Sequence, residues 1–343
     1  MYTSIPALAD TGEAAGESSN SAPAAAVKTD ANISGESFVQ IVKRANEAFN
    51  GAHFEQAKNF YEEAFAVGKK GGANKPDLAV ILSDIAMIEK LNFHYEQAQD
   101  CLEDALPMAG DDEPLVALLH TRLSSVCRAR GNLHGALEHA KESLTIRRKL
   151  DPKNAQVAES LNNVAVLSLD LKNAAEAIDY CDQAQAAVIA AGKAGGAEES
   201  AVLSTKAAAL SEEHKYDQAK DILAVVLLNQ EKLFGANSPK LAVTLNNLAM
   251  TYSKRKQYVE AEPYLKRSLQ VTEAGKPQDI AGAADASANL AGLYAHMGNK
   301  QAAENYYRKA IEFSKSINYR HLADFQEEYQ RFVAASKGFI EPD

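Results

Sequence analysis

The sequence predicts an all-α solenoid of stacked helix pairs, and three observations carry that prediction. Ala, Leu, Glu, Lys and Gln, all strong helix formers, abound in a chain that has 10 Pro and no Trp in 343 residues. One short signature returns along the chain at a nearly constant step. Each copy of it sits between two stretches whose apolar residues fall at helical spacing.

The signature centres on a small residue: Phe54-Glu55-Gln56-Ala57, Tyr95-Glu96-Gln97-Ala98, His134-Gly135-Ala136, Ala175-Glu176-Ala177, Tyr216-Asp217-Gln218-Ala219, Tyr258-Val259-Glu260-Ala261 and Lys300-Gln301-Ala302-Ala303. The steps between successive last alanines are 41, 38, 41, 42, 42 and 42 residues. Seven such copies predict seven helix pairs. In the sixth, Leu241, Leu245, Leu248, Ala249 and Tyr252 form one helical stripe. A polar turn at Lys254–Gln257 follows, then a second stripe through Ala261, Leu265, Ser268 and Leu269. Gly71-Gly72, Gly110, Asp151-Pro152, Gly195-Gly196, Gly235 and Gly275-Lys276-Pro277 read as helix stops. Ala249 and Ala261 are expected where two helices cross, because a larger side chain would push the backbones apart. A single pair cannot cover its own apolar face, so neighbouring pairs must stack. Arg44 and Lys206 stand where an apolar residue is expected in the first and fifth pairs.

A last amphipathic stretch follows the seventh pair. Leu322, Phe325, Tyr329, Phe332 and Val333 interleave with Asp324, Glu327, Glu328 and Arg331. A helix with one polar face is what a stack needs at its end. The total is fifteen helices and no strand. Residues 1–35 hold nine Ala, five Ser and three Gly, and are expected to be a disordered tail that cannot offset its ordering entropy by burial. The repeats are expected over residues 36–337, with a short tail at 338–343.

Composition excludes several function classes. The net charge is −10 with no long basic run, so nucleic acid is not an expected partner. No stretch of about 18 apolar residues predicts a membrane span. No Lys or Arg precedes Lys28, and Ile5–Ala9 is too short an apolar core for a secretory leader. Cys101, Cys127 and Cys181 lie inside helical stripes without a CxxC, which suits free thiols in a reducing, cytoplasmic setting. His53, His94 and His214 recur in the turns, but no HExxH or other tight ligand set appears, so no metal is expected. Gly68-Lys69-Lys70-Gly71-Gly72 and Gly192-Lys193-Ala194-Gly195-Gly196 lack the GxxxxGK[ST] spacing and a preceding strand, and read as helix ends. No GxSxG and no persuasive Cys-His pair occurs. The expectation is a protein that is not an enzyme and needs no cofactor.

Small residues at helix crossings, with an aromatic just before the turn alanine, resemble the tetratricopeptide repeat. The 42-residue step is similar to the kinesin-light-chain-like variant of that family. The sixth unit, Ser238-Pro239-Lys240-Leu241-Ala242-Val243-Thr244-Leu245-Asn246-Asn247-Leu248-Ala249 through Glu260-Ala261-Glu262-Pro263-Tyr264-Leu265, carries the likeness best. The fourth has Ser160-Leu161-Asn162-Asn163-Val164-Ala165 at the same place. The likeness covers about residues 37–320. It implies a right-handed α-solenoid of about seven tetratricopeptide helix pairs with a C-terminal capping helix. Kinesin light chains also share heptads ahead of their repeats. Residues 1–35 show none, which favours a free-standing adaptor over a motor subunit.

The resemblance also implies a binding face. The first helix of each pair lines the concave side, and the residue two before each crossing Ala or Ser points into it: Lys43, Asp84, Arg122, Asn163, Thr205, Asn247 and Asn289. The position before gives Val42, Ser83, Thr121, Asn162, Ser204, Asn246 and Ala288, and one turn on come Asn46, Met87, Ser125, Val166, Met250 and Gly292. Asn donates and accepts, so Asn162, Asn163, Asn246, Asn247 and Asn289 suit the backbone of an extended peptide from a partner protein. Arg122, Lys43 and Arg128 suit an acidic peptide or a C-terminal carboxylate. Two other roles stand beside these: the amides could staple neighbouring helices, and the charges could simply be solvated. The expected function is a protein-protein interaction scaffold or adaptor. The alternative is a peptide-sensing regulator that changes superhelical shape on binding its ligand.

Overall fold

The computed structural model describes residues 37–337 except 153, 276–278, 318 and 320. The tails expected at 1–35 and 338–343 lie outside the described residues. Among the described residues there are fifteen α-helices and no strand. The chain divides into two compact units, at Ala191 and Gly192.

The first unit holds four helix pairs: α1 (Phe38–Asn50) with α2 (Phe54–Gly71), α3 (Lys75–Leu91) with α4 (Tyr95–Ala109), α5 (Glu113–Ala129) with α6 (Leu133–Leu150), and α7 (Ala155–Asp170) with α8 (Ala174–Ala190). The second holds α9 (Ala197–Glu212) with α10 (Tyr216–Phe234), α11 (Ala242–Lys254) with α12 (Tyr258–Ala274), α13 (Ile280–His296) with α14 (Lys300–Ser316), and the single helix α15 (Leu322–Lys337). Within each unit every helix packs on the next in sequence.

Polar caps start these helices. Ser37 and Gln40 form a reciprocal capping box on α1. Asn74, Asp112, Asn132, Asn154, Asn173, Asp279 and Asn299 each accept a backbone N–H of the first turn. All seven signature alanines, Ala57 through Ala303, are fully buried, as are Ala45, Ala165, Ala207, Ala249 and Ala291 at the crossings. The first and fifth pairs therefore keep the expected register. Arg44 lies beside the crossing with its guanidinium 4.1 Å from the Phe60 ring centroid. Gly68 is fixed by packing, since a Cβ there would meet the Phe38 ring at 2.7 Å.

One turn geometry serves all seven pairs. Ala52, Phe93, Gly131, Lys172, His214, Lys256 and Gly298 have φ of 57°, 63°, 80°, 65°, 59°, 60° and 74°. The amide of the following residue then bonds the carbonyl five back, at 2.8–3.0 Å in every turn, as His94 to Glu89 and Asn299 to Tyr294.

One stop and one start differ from the sequence expectation. Helix α8 ends at Ala190, before Gly195-Gly196, and Gly196 instead precedes α9. Leu241 belongs to a 3-10 turn, Pro239–Leu241, opened by Ser238, so the α-helix begins at Ala242. The closing helix α15 buries Phe325 completely and leaves Asp324, Glu327 and Arg331 exposed.

Candidate functional site

The first helices of the pairs carry the predicted row. In the first unit Lys43 is exposed and Asp84, Arg122 and Asn163 are half-buried. In the second, Asn247 and Asn289 are half-buried, whereas Thr205 is buried. Solvent thus reaches six of the seven positions. The row one residue earlier is more buried: Ser83, Asn246 and Ala288 are buried, Asn246 only 5% exposed, while Val42, Thr121 and Ser204 are half-buried. Asn162 stays half-buried. The difference follows from the 100° step of a helix, which turns one of two neighbours toward the crossing.

The five asparagines share one property. None of their side chains hydrogen bonds another group among the described residues. Asn162 Oδ1, Asn246 Oδ1 and Asn247 Nδ2 are out of reach of solvent and have no partner. Buried polar atoms are almost always paired, so these three are exceptions, as are Asp77 Oδ2, Arg122 Nε and Gln257 Oε1. Among the described residues none of the three asparagine atoms bonds a neighbouring helix.

The charged positions behave differently. Arg122 Nη1 donates to Asp84 Oδ1 at 2.9 Å and to Ser83 Oγ at 2.6 Å, which ties α5 back to α3. Arg128 Nε donates to Asp170 Oδ2 at 2.6 Å, tying α5 forward to α7. Lys90 donates to Ser125 Oγ. Burial pushes the Asp84 carboxyl above its usual range, with Arg122 opposing it. Arg122 is therefore engaged inside the protein. Among the described residues Lys43 pairs with Glu47 alone, 3.8 Å away on its own helix.

One turn on, Tyr61 OH donates to Asn46 Oδ1 at 2.6 Å. Met87, Val166, Met250 and Gly292 are part-exposed. A Cβ added at Gly292 would meet nothing within 4 Å, so the surface there is open. Val39 and Val80, four residues before Lys43 and Asp84, add exposed apolar edges that the motif did not announce. The cross-helix pairs were missed too. Their signal was opposite charge about one repeat apart, 38 residues for Asp84–Arg122 and 42 for Arg128–Asp170.

Among the described residues, no group of three or more His, Cys, Asp or Glu side chains could hold a metal ion. No described helix is long and apolar enough to cross a membrane. Cys127 and Cys181 are buried and Cys101 half-buried, all as free thiols, and burial raises the pKa of Cys101 and Cys127.

Stacked helix pairs with small residues at their crossings, a repeated turn and a solvent-reached row on the first helices define a helical-repeat protein. Tetratricopeptide repeat models match residues 115–190, 198–274 and 284–318, more than half of the chain, and the chain belongs to that family. Solved structures agree on the fold. A tetratricopeptide repeat protein from Parabacteroides merdae superimposes with a TM-score of 0.63 at 14% identity, over 86% of this chain and 98% of that one. The apo form of RapI gives 0.64 at 15% identity, over 82% and 98%. Nearly identical TPR-like repeats of a putative kinesin light chain from Podosopora anserina give 0.52 at 18% identity, over 59% and 98%. No curated protein matches the chain significantly.

Proposed function

We propose that the protein is a non-catalytic interaction scaffold of the kinesin-light-chain-like, 42-residue type, and that the first-helix row of its units holds an extended segment of a partner protein. One observation carries this reading. Asn163, Asn247 and Asn289 stand at half-buried row positions, and among the described residues their side chains make no hydrogen bond. Asn163 and Asn289 can offer a donor and an acceptor to a peptide backbone, and Asn247 its Oδ1 acceptor, since its Nδ2 is shut off from solvent. Arg122 contributes shape rather than a free charge, because Asp84 neutralises it. The partner is a protein, not nucleic acid, since the net charge is −10. A cytoplasmic setting suits the free thiols.

The test starts with the full chain as bait in native lysate, followed by mapping captured partners to linear peptides. Affinity and melting are then measured for Asn247→Ala with Asn289→Ala, both in the second unit, and separately for Asn163→Ala in the first. Each neutral amide bond contributes about 0.5–1.5 kcal/mol, so the double change should weaken binding roughly 5- to 150-fold with an unchanged melt. A lower melt without specific loss of affinity would make the amides structural. Unchanged binding and unchanged melt would move the partner to another surface.

A further inference from the structure

The second helices of the pairs share a pattern on the side turned away from the core. Six residues after the signature alanine stand Glu63, Asp104, Glu142, Gln183, Arg267 and Lys309 in six of the repeats. In the fifth the residue is Val225. Three residues further on, Leu228 stands where the next two repeats carry Gln270 and Glu312. Both are unburied, Val225 at 50% and Leu228 at 51%. The core side of α10 is Ala219, Leu223 and Val226, and Val225 and Leu228 are on the opposite side. Repetition supplies the comparison: at the first position the other six helices are polar, and at the second the remaining four carry the small or short side chains Ala66, Pro107, Thr145 and Ala186, so α10 alone places a large aliphatic residue at both.

The stripe is also ordered. Asp221, Val225, Leu228 and Lys232 are spaced i, i+4, i+7 and i+11, a single line along the helix. Asp221 and Lys232 are exposed, and among the described residues Asp221 pairs with its neighbour Lys220 alone, at 3.5 Å. The midpoint between Val225 and Leu228 coincides with the midpoint between Asp221 and Lys232. A two-fold axis through that point, running across the helix, maps the line onto itself reversed.

We propose that α10 is a self-association surface and that its occupant is α10 of a second copy of this chain, packed antiparallel. Val225 of one copy meets Leu228 of the other, and Asp221 meets Lys232, twice by symmetry. Charge complementarity selects this occupant, because the stripe carries its own counter-charges in the order that only a reversed copy satisfies. The patch is small, so the contact belongs at the weak end of specific interfaces and the monomer and dimer exchange with concentration.

Sedimentation velocity on the full chain, up to about 200 µM, tests the proposal. The weight-average mass should climb toward that of a dimer. Leu228→Asp should weaken association at least about tenfold, and so should Asp221→Lys alone. Asp221→Lys combined with Lys232→Asp should restore it, because the reversed pair is again complementary. Circular dichroism should be the same for all variants, as every altered side chain is exposed. A chain that stays monomeric throughout overturns the proposal. So does a dimer that survives Leu228→Asp, or a double exchange that fails to restore what the single change removed.

Discussion

His120 on α5 and His139 on α6 face each other with their Nδ1 atoms 3.1 Å apart and ring centroids at 5.3 Å. One ring must donate and the other accept, so the contact holds only while at least one is neutral. Burial lowers both pKa values below 6.5, and for His120 the facing His139 lowers it further. Glu142 acts on both in the opposite sense, with Glu138 and Glu103 adding to it at His139. Groups held neutral by the fold bind fewer protons than in the unfolded chain. Their contribution is intact above the unfolded pKa of 6.5 and is lost as pH falls from there toward the lower folded values. The melting midpoint should therefore drop between pH 7.5 and 5.5, and His120→Gln should flatten that drop. Equal slopes for the two proteins would show that the pair does not govern it.

Phe93 sits at φ 63° in the turn between α3 and α4, with 75% of its surface exposed. Among the described residues its one aromatic contact is an edge-on approach to Tyr95 at 6.2 Å. The left-handed conformation costs a residue with a Cβ roughly 1–2 kcal/mol, and the equivalent turns at Gly131 and Gly298 avoid that cost. Gly loses more backbone freedom on folding, which returns about half of the gain. Phe93→Gly should thus stabilise by roughly 0.5–1 kcal/mol, a rise of about 2 °C in a domain of this size. A fall in the melt would mean that the ring packs more than its exposure suggests.

The helix pairs were legible because burial forces period and step together. A crossing can take only a small residue, so Ala57 and its six equivalents mark the repeat directly. Features that depend on three-dimensional neighbours were less visible. Nothing in Asn246-Asn247 tells which amide turns inward, yet one is buried and the other solvent-reached. Arg122 reads as a groove cation until α3 brings Asp84 to it. The shared left-handed turn position was hidden because five of its seven occupants are not Gly. The end of α8 was placed too late because a glycine pair can precede a helix as well as follow one.

Ala249 has no exposed surface and packs in a cluster with Ala261, Leu265, Ala286 and Leu290. Ala249→Leu should cost about 1–3 kcal/mol, since the added atoms must displace backbone at the α11–α12 crossing. Contacts in a stack reach only neighbouring helices, so hydrogen exchange should rise in α11–α13 and far less in α1 and α2. Uniform loosening of the whole chain would contradict a stack of locally stabilised pairs.

Asp84 and Arg122 supply the sharpest test of whether a row charge builds the fold or serves a ligand. The pair is part-buried and joins α3 to α5. Burial already raises the Asp84 pKa despite Arg122, so placing this carboxylate here costs stability that the guanidinium only partly offsets. Replacing Asp84 alone by Asn leaves a guanidinium whose Nε is buried without a partner, and should cost about 1.5–3 kcal/mol. Arg122→Met alone leaves the carboxylate uncompensated and should cost a similar amount. It should also raise the Asp84 pKa further, because the opposing charge is gone. An acid with a raised folded pKa contributes least at high pH, so the Arg122→Met protein should gain stability relative to wild type as pH falls through that pKa. Asp84→Asn together with Arg122→Met removes both charges and should cost clearly less than the two single changes added. Additive losses would deny the coupling. An unchanged melt in Arg122→Met, with loss of a bound peptide, would return Arg122 to the ligand side of the row.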